Sequence, residues 1–292
     1  MPNKVFVLTG STSGIGKALA AGLARTGDTL VMVAREAGRG SAALQEIMLA
    51  TQNRNIDLQL CDLTILSSVR NLAEILKSRY EKIDVLINNA GVYRRKRIVT
   101  VDGYEEMFAA NHLGPFLLTN LLLEPLQEAV QANGSARIVN ITAPSTTPLN
   151  FDDLQGERNF NSLNAFGATK MANLFFTFEL ARRLESTGIT VNAIHPGLAR
   201  SGLMREGSFL TRLFTRAASP APEKVTGPIL QAAVAPEFER TTGKFLHNGK
   251  EIEAPAYAQD RTAQQRLWDI SESLTQLSLT KGEIPVNDPH LY

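Results

Sequence analysis

A chain of 292 residues that is 43% hydrophobic and 20% charged has an ordinary globular composition, which excludes disordered and fibrous classes. Its net charge of +1 selects neither nucleic acid nor an anionic membrane as partner. The only cysteine is Cys61, so no intramolecular disulfide can form, and His112, His195, His247 and His290 show no metal-ligand spacing; no metal is expected.

No apolar run reaches the ~18 residues that span a bilayer. The opening MPNKVFVLTG passes straight into strand-like sequence, so a cytoplasmic protein without a membrane span is expected. Homo-oligomerisation stays open.

Short β-branched runs alternate with longer amphipathic stretches along the whole chain. Strands are predicted at Val5–Leu8, Thr29–Val33, Asp57–Cys61, Val85–Asn88, Arg137–Ile141, Thr190–Ile194 and Lys244–His247. They are nearly all apolar rather than alternating, the pattern of strands covered on both faces. The fold class is therefore α/β: one Rossmann-type, doubly wound parallel sheet of about seven strands over residues 1–292. The clearest helix is predicted from about Ala165 to Ser186, stopped by Thr187-Gly188.

Two segments break the βα rhythm, Pro144–Asn164 and Leu198–Lys224, and both follow carboxyl ends of strands, where ligands bind in open sheets. The second carries Leu203, Met204, Phe209, Leu210 and Phe214; it reads as a substrate-covering flap over 198–224 or as a surface helix and loop. Residues 279–292 read as a C-terminal tail.

The first strand runs through Thr9 into Gly10-Ser11-Thr12-Ser13-Gly14-Ile15-Gly16 and then a helix. Gly10 permits the tight turn, Gly14 lets the backbone approach a phosphate, and Gly16 allows close helix–strand packing. A pyrophosphate would sit on free N–H groups at the positive end of the helix dipole. Arg35 closes the second strand, with Arg39 one turn on. An arginine there neutralises a ribose 2′-phosphate, so NADP(H) is the expected cofactor; Glu36, which would favour NAD, is the rival.

The GxxxGxG spacing, Asp62-Leu63, Asn88-Asn89-Ala90-Gly91, Asn111, Lys170 and Pro196-Gly197 occur in the order in which they occur in short-chain dehydrogenases/reductases. Over roughly residues 4–250 the chain resembles that family, and NFDDLQGER with KMANLFFTFELARRL resembles its retinol-dehydrogenase-like branch. The resemblance implies oxidoreduction of a small lipophilic carbonyl or alcohol. It implies that Asp62 and Leu63 cup the adenine, that Asn88, Ala90 and Gly91 pass the adenosine ribose, and that Pro196, Gly197 and Ser201 flank the nicotinamide.

In that family a tyrosine donates the proton, a lysine four residues later lowers its pKa and binds the ribose, a serine polarises the substrate oxygen, and an asparagine holds a relay water. Here the corresponding run is Phe166-Gly167-Ala168-Thr169-Lys170, and Ala143 stands at the serine position. Thr142 and Ser145 flank it as substitutes, although a one-residue shift on a strand reverses the side chain. Several readings follow: a natural branch with an altered proton relay, an engineered inactive variant, a reductase of iminium groups or activated double bonds, or a non-catalytic NADP(H)-binding regulator. Beside the site, Tyr93 reads as packing or as a phenol over the nicotinamide, and Arg94-Arg95-Lys96-Arg97 as a solvated loop or a lure for anionic substrates.

Overall fold

The computed structural model describes residues 3–197 and 222–277. The expected flap at 198–224 apart from its last three residues, Ser201 within it, and the tail at 279–292 lie outside the described residues.

Eight strands form one sheet: β1 (Val5–Thr9), β2 (Thr29–Ala34), β3 (Ile56–Leu60), β4 (Val85–Asn88), β5 (Ala136–Ile141), β6 (Ile189–His195), β7 (Lys244–His247) and β8 (Lys250–Glu251). Their spatial order is β3-β2-β1-β4-β5-β6-β7-β8. All pairs are parallel except β7–β8. The chain reverses its direction of travel across the sheet between β1 and β4, which opens the crevice where open α/β sheets take ligands.

Successive side chains on a strand face opposite layers, and here both layers are buried and apolar. Val5, Val7, Val31 and Val33 pack with Leu72 and Leu76 of α3 (Leu66–Arg79). Phe6, Leu8, Leu30 and Met32 pack with Leu19 and Leu23 of α1 (Gly14–Ala24) and Ile47 of α2 (Ala37–Thr51). Each fully buried side chain of this size stabilises the fold by roughly 1.5–3 kcal/mol.

After β4 comes a short α4 (Glu106–Phe108), a π-helical turn over Ala109–Leu113, then α5 (Gly114–Leu121) and α6 (Leu123–Asn133). The chain then forms β5, α7 (Ser162–Arg183), β6, α8 (Pro222–Val234), β7, β8 and α9 (Arg261–Thr275). No helix among the described residues is long and apolar enough to cross a membrane.

Two predictions need correction. The long helix runs over Ser162–Arg183, three residues earlier at each end than Ala165–Ser186. Asn161 begins it by accepting hydrogen bonds from the N–H groups of Leu163 (3.1 Å) and Asn164 (3.0 Å). At the far end Ser186 (φ 66°) and Gly188 (φ 85°) turn the chain into β6. The sheet also has an eighth, antiparallel strand. Asn248 (φ 50°) and Gly249 (φ 73°) form the two-residue turn that creates it, with His247 opposite Lys250.

Candidate active site

The glycine-rich loop lies at the carboxyl end of β1, against the turn that follows β4. At Gly10 (φ +67°) a Cβ would come within 2.8 Å of the Ala90 Cα, and at Gly16 within 2.0 Å of the Gly10 carbonyl oxygen, so side chains are excluded at both. Thr9 Oγ1 donates to the Ile87 carbonyl and accepts from the N–H groups of Asn89 (3.0 Å) and Ala90 (3.1 Å). Asn89 Nδ2 returns hydrogen bonds to the carbonyls of Thr9 and Gly10. Ser11 is buried, and its hydroxyl donates to Val33 on β2 at 3.2 Å. These contacts hold the loop so that α1 begins at Gly14. Its N-cap Ser13 makes no side-chain cap, and the first turn carries no acid, so its N–H groups suit an anion.

The other expected nucleotide residues divide. The Asn88 side chain faces inward, donating to Thr119 Oγ1 and Asn140 Oδ1 at 2.9 Å each. It is an internal strut, and any approach to a ribose falls to half-buried Ala90 and Gly91. Asp62 uses Oδ1 to accept from the N–H and hydroxyl of Thr64. Leu63 is buried, and a Cβ on Gly114 would lie 2.4 Å from its carbonyl oxygen. At the end of β2, Arg35 lies 3.6 Å and Arg39 3.3 Å from opposite oxygens of Glu36, all three well exposed.

On α7, Ser162, Phe166 and Lys170 recur every four residues and share a face. Lys170 is buried, its Nζ stands 5.0 Å from the Phe166 ring centroid, and no hydrogen-bond acceptor reaches it among the described residues. Burial pulls its pKa down to about 8. Asn111, in the π-helical turn, accepts from the Val92 N–H (2.7 Å) and donates to the Val92 carbonyl (3.0 Å) and Thr169 Oγ1 (3.1 Å). Its amide clamps the loop after β4 to α7. A Cβ on Gly91 would lie 3.3 Å from Asn111 Oδ1 and 3.8 Å from Lys170 Nζ, so all three meet at one point.

Ala143, half-buried just beyond β5, offers no donor. Neither flanking hydroxyl is free: Thr142 Oγ1 donates to the Lys170 carbonyl at 3.0 Å, and Ser145 Oγ to the Gly167 carbonyl at 2.8 Å. Tyr93 is buried, meets Phe166 edge-on with ring centroids 5.7 Å apart, and holds its hydroxyl 3.1 Å from Ser162 Oγ. The basic run splits. Arg94 makes a bidentate pair with Glu106, and Arg97 donates to the Gln155 carbonyl, while Arg95 and Lys96 are exposed.

At the carboxyl ends of β6 and β7 the His195 and His247 rings stack 4.8 Å apart, and His195 has its pKa lowered by burial and then by His247. Gly197 (φ 78°) follows Pro196 there. Sequence reasoning missed Thr9, Thr169 and Ser162. Thr9 is visible only as the residue before Gly10, and Ser162 only as the position one turn before Phe166.

The residues present fit a nicotinamide dinucleotide. The side-chain-free cradle at Gly10 and Gly16 and the uncapped start of α1 suit its pyrophosphate, and the buried ammonium of Lys170, which no acceptor reaches among the described residues, suits ribose hydroxyls.

Residues 4–208 match the family model described as short chain dehydrogenase. The chain is 38% identical over 276 residues to mouse (Mus musculus) retinol dehydrogenase 12, covering 93% of this chain and 86% of that one. It is 37% identical over 289 residues to human (Homo sapiens) retinol dehydrogenase 13, covering 95% and 86%. An uncharacterized protein from Mycobacterium paratuberculosis has a similar crystal structure, with TM-score 0.69 and 32% identity over 94% of this chain and 93% of that one. Family match, fold and ordered motifs agree: the chain belongs to the short-chain dehydrogenase/reductase family of oxidoreductases, in its retinol-dehydrogenase-like branch.

Proposed function

We propose that this protein is an NADP(H)-dependent oxidoreductase of a lipophilic carbonyl or alcohol whose proton relay does not run through position 166. The observation that carries this is the buried Lys170, set beside Gly91 and Asn111 and capped by the Phe166 ring where a phenol would stand. The dinucleotide would supply the hydride. Lys170 would hold its nicotinamide ribose; Gly10, Ser11, Thr12, Ser13, Gly14, Ile15 and Gly16 would enclose the pyrophosphate, and Asp62 with Leu63 the adenine. Asn111 positions the loop that carries Tyr93. The names of the two relatives support an alcohol or its carbonyl as substrate.

The preference for NADP(H) rests on charge. Arg35 and Arg39 lie on either side of Glu36 and engage its carboxylate, leaving a positive balance at the end of β2. NADPH is expected to bind more tightly than NADH by ~1.5–3 kcal/mol, the worth of a charge-assisted contact. Titration by quenching of protein fluorescence measures it. Equal affinities, or a preference untouched by Arg35→Asp, would overturn the assignment. Phe166→Tyr should raise carbonyl turnover by up to ~10²–10⁴, because Lys170 already stands one turn away. Ala143→Ser should add to this non-additively, since both hydroxyls would address one oxygen.

A second reading, reduction of an iminium or activated double bond, is favoured by the engagement of Thr142 and Ser145 with α7 carbonyls. An iminium nitrogen takes no proton during hydride transfer, so its turnover should respond little to Phe166→Tyr.

A further inference from the structure

Resting on the reading above, we infer that the Tyr93 phenol, coupled to the Ser162 hydroxyl, is the proton donor for carbonyl reduction in this chain. The hydroxyls of Thr142, Ser145 and Thr169 donate to the carbonyls of Lys170, Gly167 and Phe166. A proton so engaged is not available to a developing alkoxide. Tyr93 differs in its partner, a hydroxyl that can take either role. With Ser162 donating, the phenolic O–H is left to point elsewhere.

The phenol is also held in place. Tyr93 follows Val92, whose N–H and carbonyl are both gripped by Asn111, so the backbone that carries the phenol is set relative to α7 and Lys170. Tyr93 is 7% exposed and its ring rests edge-on against Phe166, which screens the hydroxyl from bulk water and strengthens any hydrogen bond it makes. Ser162, half-buried at the start of α7, links that interior to the surface. The Phe166 ring stands against both Lys170 Nζ and the Tyr93 ring, so an apolar wall lies where a lysine–phenol contact would otherwise form.

In the reaction the carbonyl carbon accepts a hydride from a bound dihydronicotinamide nucleotide, and the π electron pair of the C=O bond moves to oxygen. That oxygen takes the proton as the Tyr93 O–H bond breaks. The phenolate recovers a proton from Ser162, which takes one from water. The sum is carbonyl plus dihydronicotinamide plus one proton giving alcohol plus oxidised nicotinamide. Run backwards, the same groups accept the proton of an alcohol.

The test compares Tyr93→Phe, Ser162→Ala and Thr147→Val, the last because the Thr147 hydroxyl stands against Gly167 beside Phe166, in the parent chain and in Phe166→Tyr, with a lipophilic aldehyde and NADPH. Tyr93→Phe keeps the ring and removes only the hydroxyl. In the parent it should lower kcat ~10-fold or more and shrink the solvent deuterium isotope effect, at unaltered NADPH affinity. Ser162→Ala should give a smaller loss of the same kind. In Phe166→Tyr the loss from Tyr93→Phe should be several-fold smaller, because a second phenol then competes for the task. The inference is overturned by a parent with no aldehyde turnover, by undiminished kcat in Tyr93→Phe, by equal losses in both backgrounds, or by a loss that follows Thr147→Val instead. Failure of the underlying reading looks different: no NADPH binding, or no turnover from the Phe166→Tyr, Ala143→Ser double variant.

Discussion

Lys170 shows how burial and function oppose each other in one side chain. Its ammonium is buried beside the Phe166 ring with no acceptor among the described residues, and desolvation brings its pKa to about 8. The unfolded chain then holds more protons than the folded one between pH 8 and the ordinary lysine value near ~10.4. Stability of the free protein should therefore rise as pH increases through that window. Cofactor affinity should move the other way, falling above pH 8 as the ammonium loses its proton. Lys170→Met, which keeps the length and removes the charge, should raise the melting temperature of the free protein at pH 7. It should also weaken NADPH binding ~10-fold or more. Thermal melts and fluorescence titration read the two effects, and a lower melting temperature with unaltered affinity would make Lys170 a structural residue. His112 is the contrast: burial lowers it to about 3, so it stays neutral at physiological pH, hydrogen-bonded to Ser271 and packed against the Phe108 ring.

At the scale of elements, seven of the eight strands were readable because they are short, largely apolar runs, and for these prediction and structure agree within one residue at each end. Helix α7 was displaced because its start depends on a cap. Asn161 is one polar residue in a polar stretch, and only its hydrogen bonds to Leu163 and Asn164 mark it as the N-cap. Asn161→Ala should destabilise the protein by ~1 kcal/mol, seen as a lower urea midpoint at constant slope. It should also loosen Ser162, the first helical residue, and with it the Tyr93 hydroxyl contact. The β8 hairpin was equally legible in principle, since Asn-Gly is the strongest short hairpin signal, yet Lys250 and Glu251 carry no apolar pattern to draw attention. The π-helical turn at Ala109–Leu113 has no such signature. It exists because Asn111 is held at both Val92 and Thr169, contacts 19 and 58 residues apart in sequence.

Over the whole molecule, α9 closes the layer above α5 and α7. Trp268 is 3% exposed, packs against Phe116 with centroids 4.9 Å apart, and lies under the Arg183 guanidinium at 4.1 Å. Tyr104 donates to the Leu274 carbonyl, and Arg70 to the Thr275 carbonyl, so the same helix ties down the segment before α4 and the face of α3. Trp268→Ala should cost ~3–5 kcal/mol, and in chemical denaturation the midpoint falls accordingly. NADPH affinity should drop with it, because His112, packed against Ser271 of α9, adjoins Asn111 in the π-helical turn. Unaltered binding in a destabilised variant would separate the cofactor site from this packing.

The order of strands and helices, the glycine-rich cradle, and the placing of Phe166 and Lys170 one turn apart were all determined by the sequence itself. Local rules govern them: apolar periodicity, backbone room at glycine and i, i+4 spacing on one helix. The use of each polar group was decided only by tertiary structure. Asn88 became an internal strut, Asn111 a clamp, Thr142 and Ser145 braces on α7, and Tyr93 the partner of Ser162. A hydroxyl or amide is short-ranged and able to donate or accept, so its role depends on which group lies within about 3 Å. Chain positions 69 residues apart, such as Tyr93 and Ser162, reach that distance only after the sheet has formed and α7 has docked upon it.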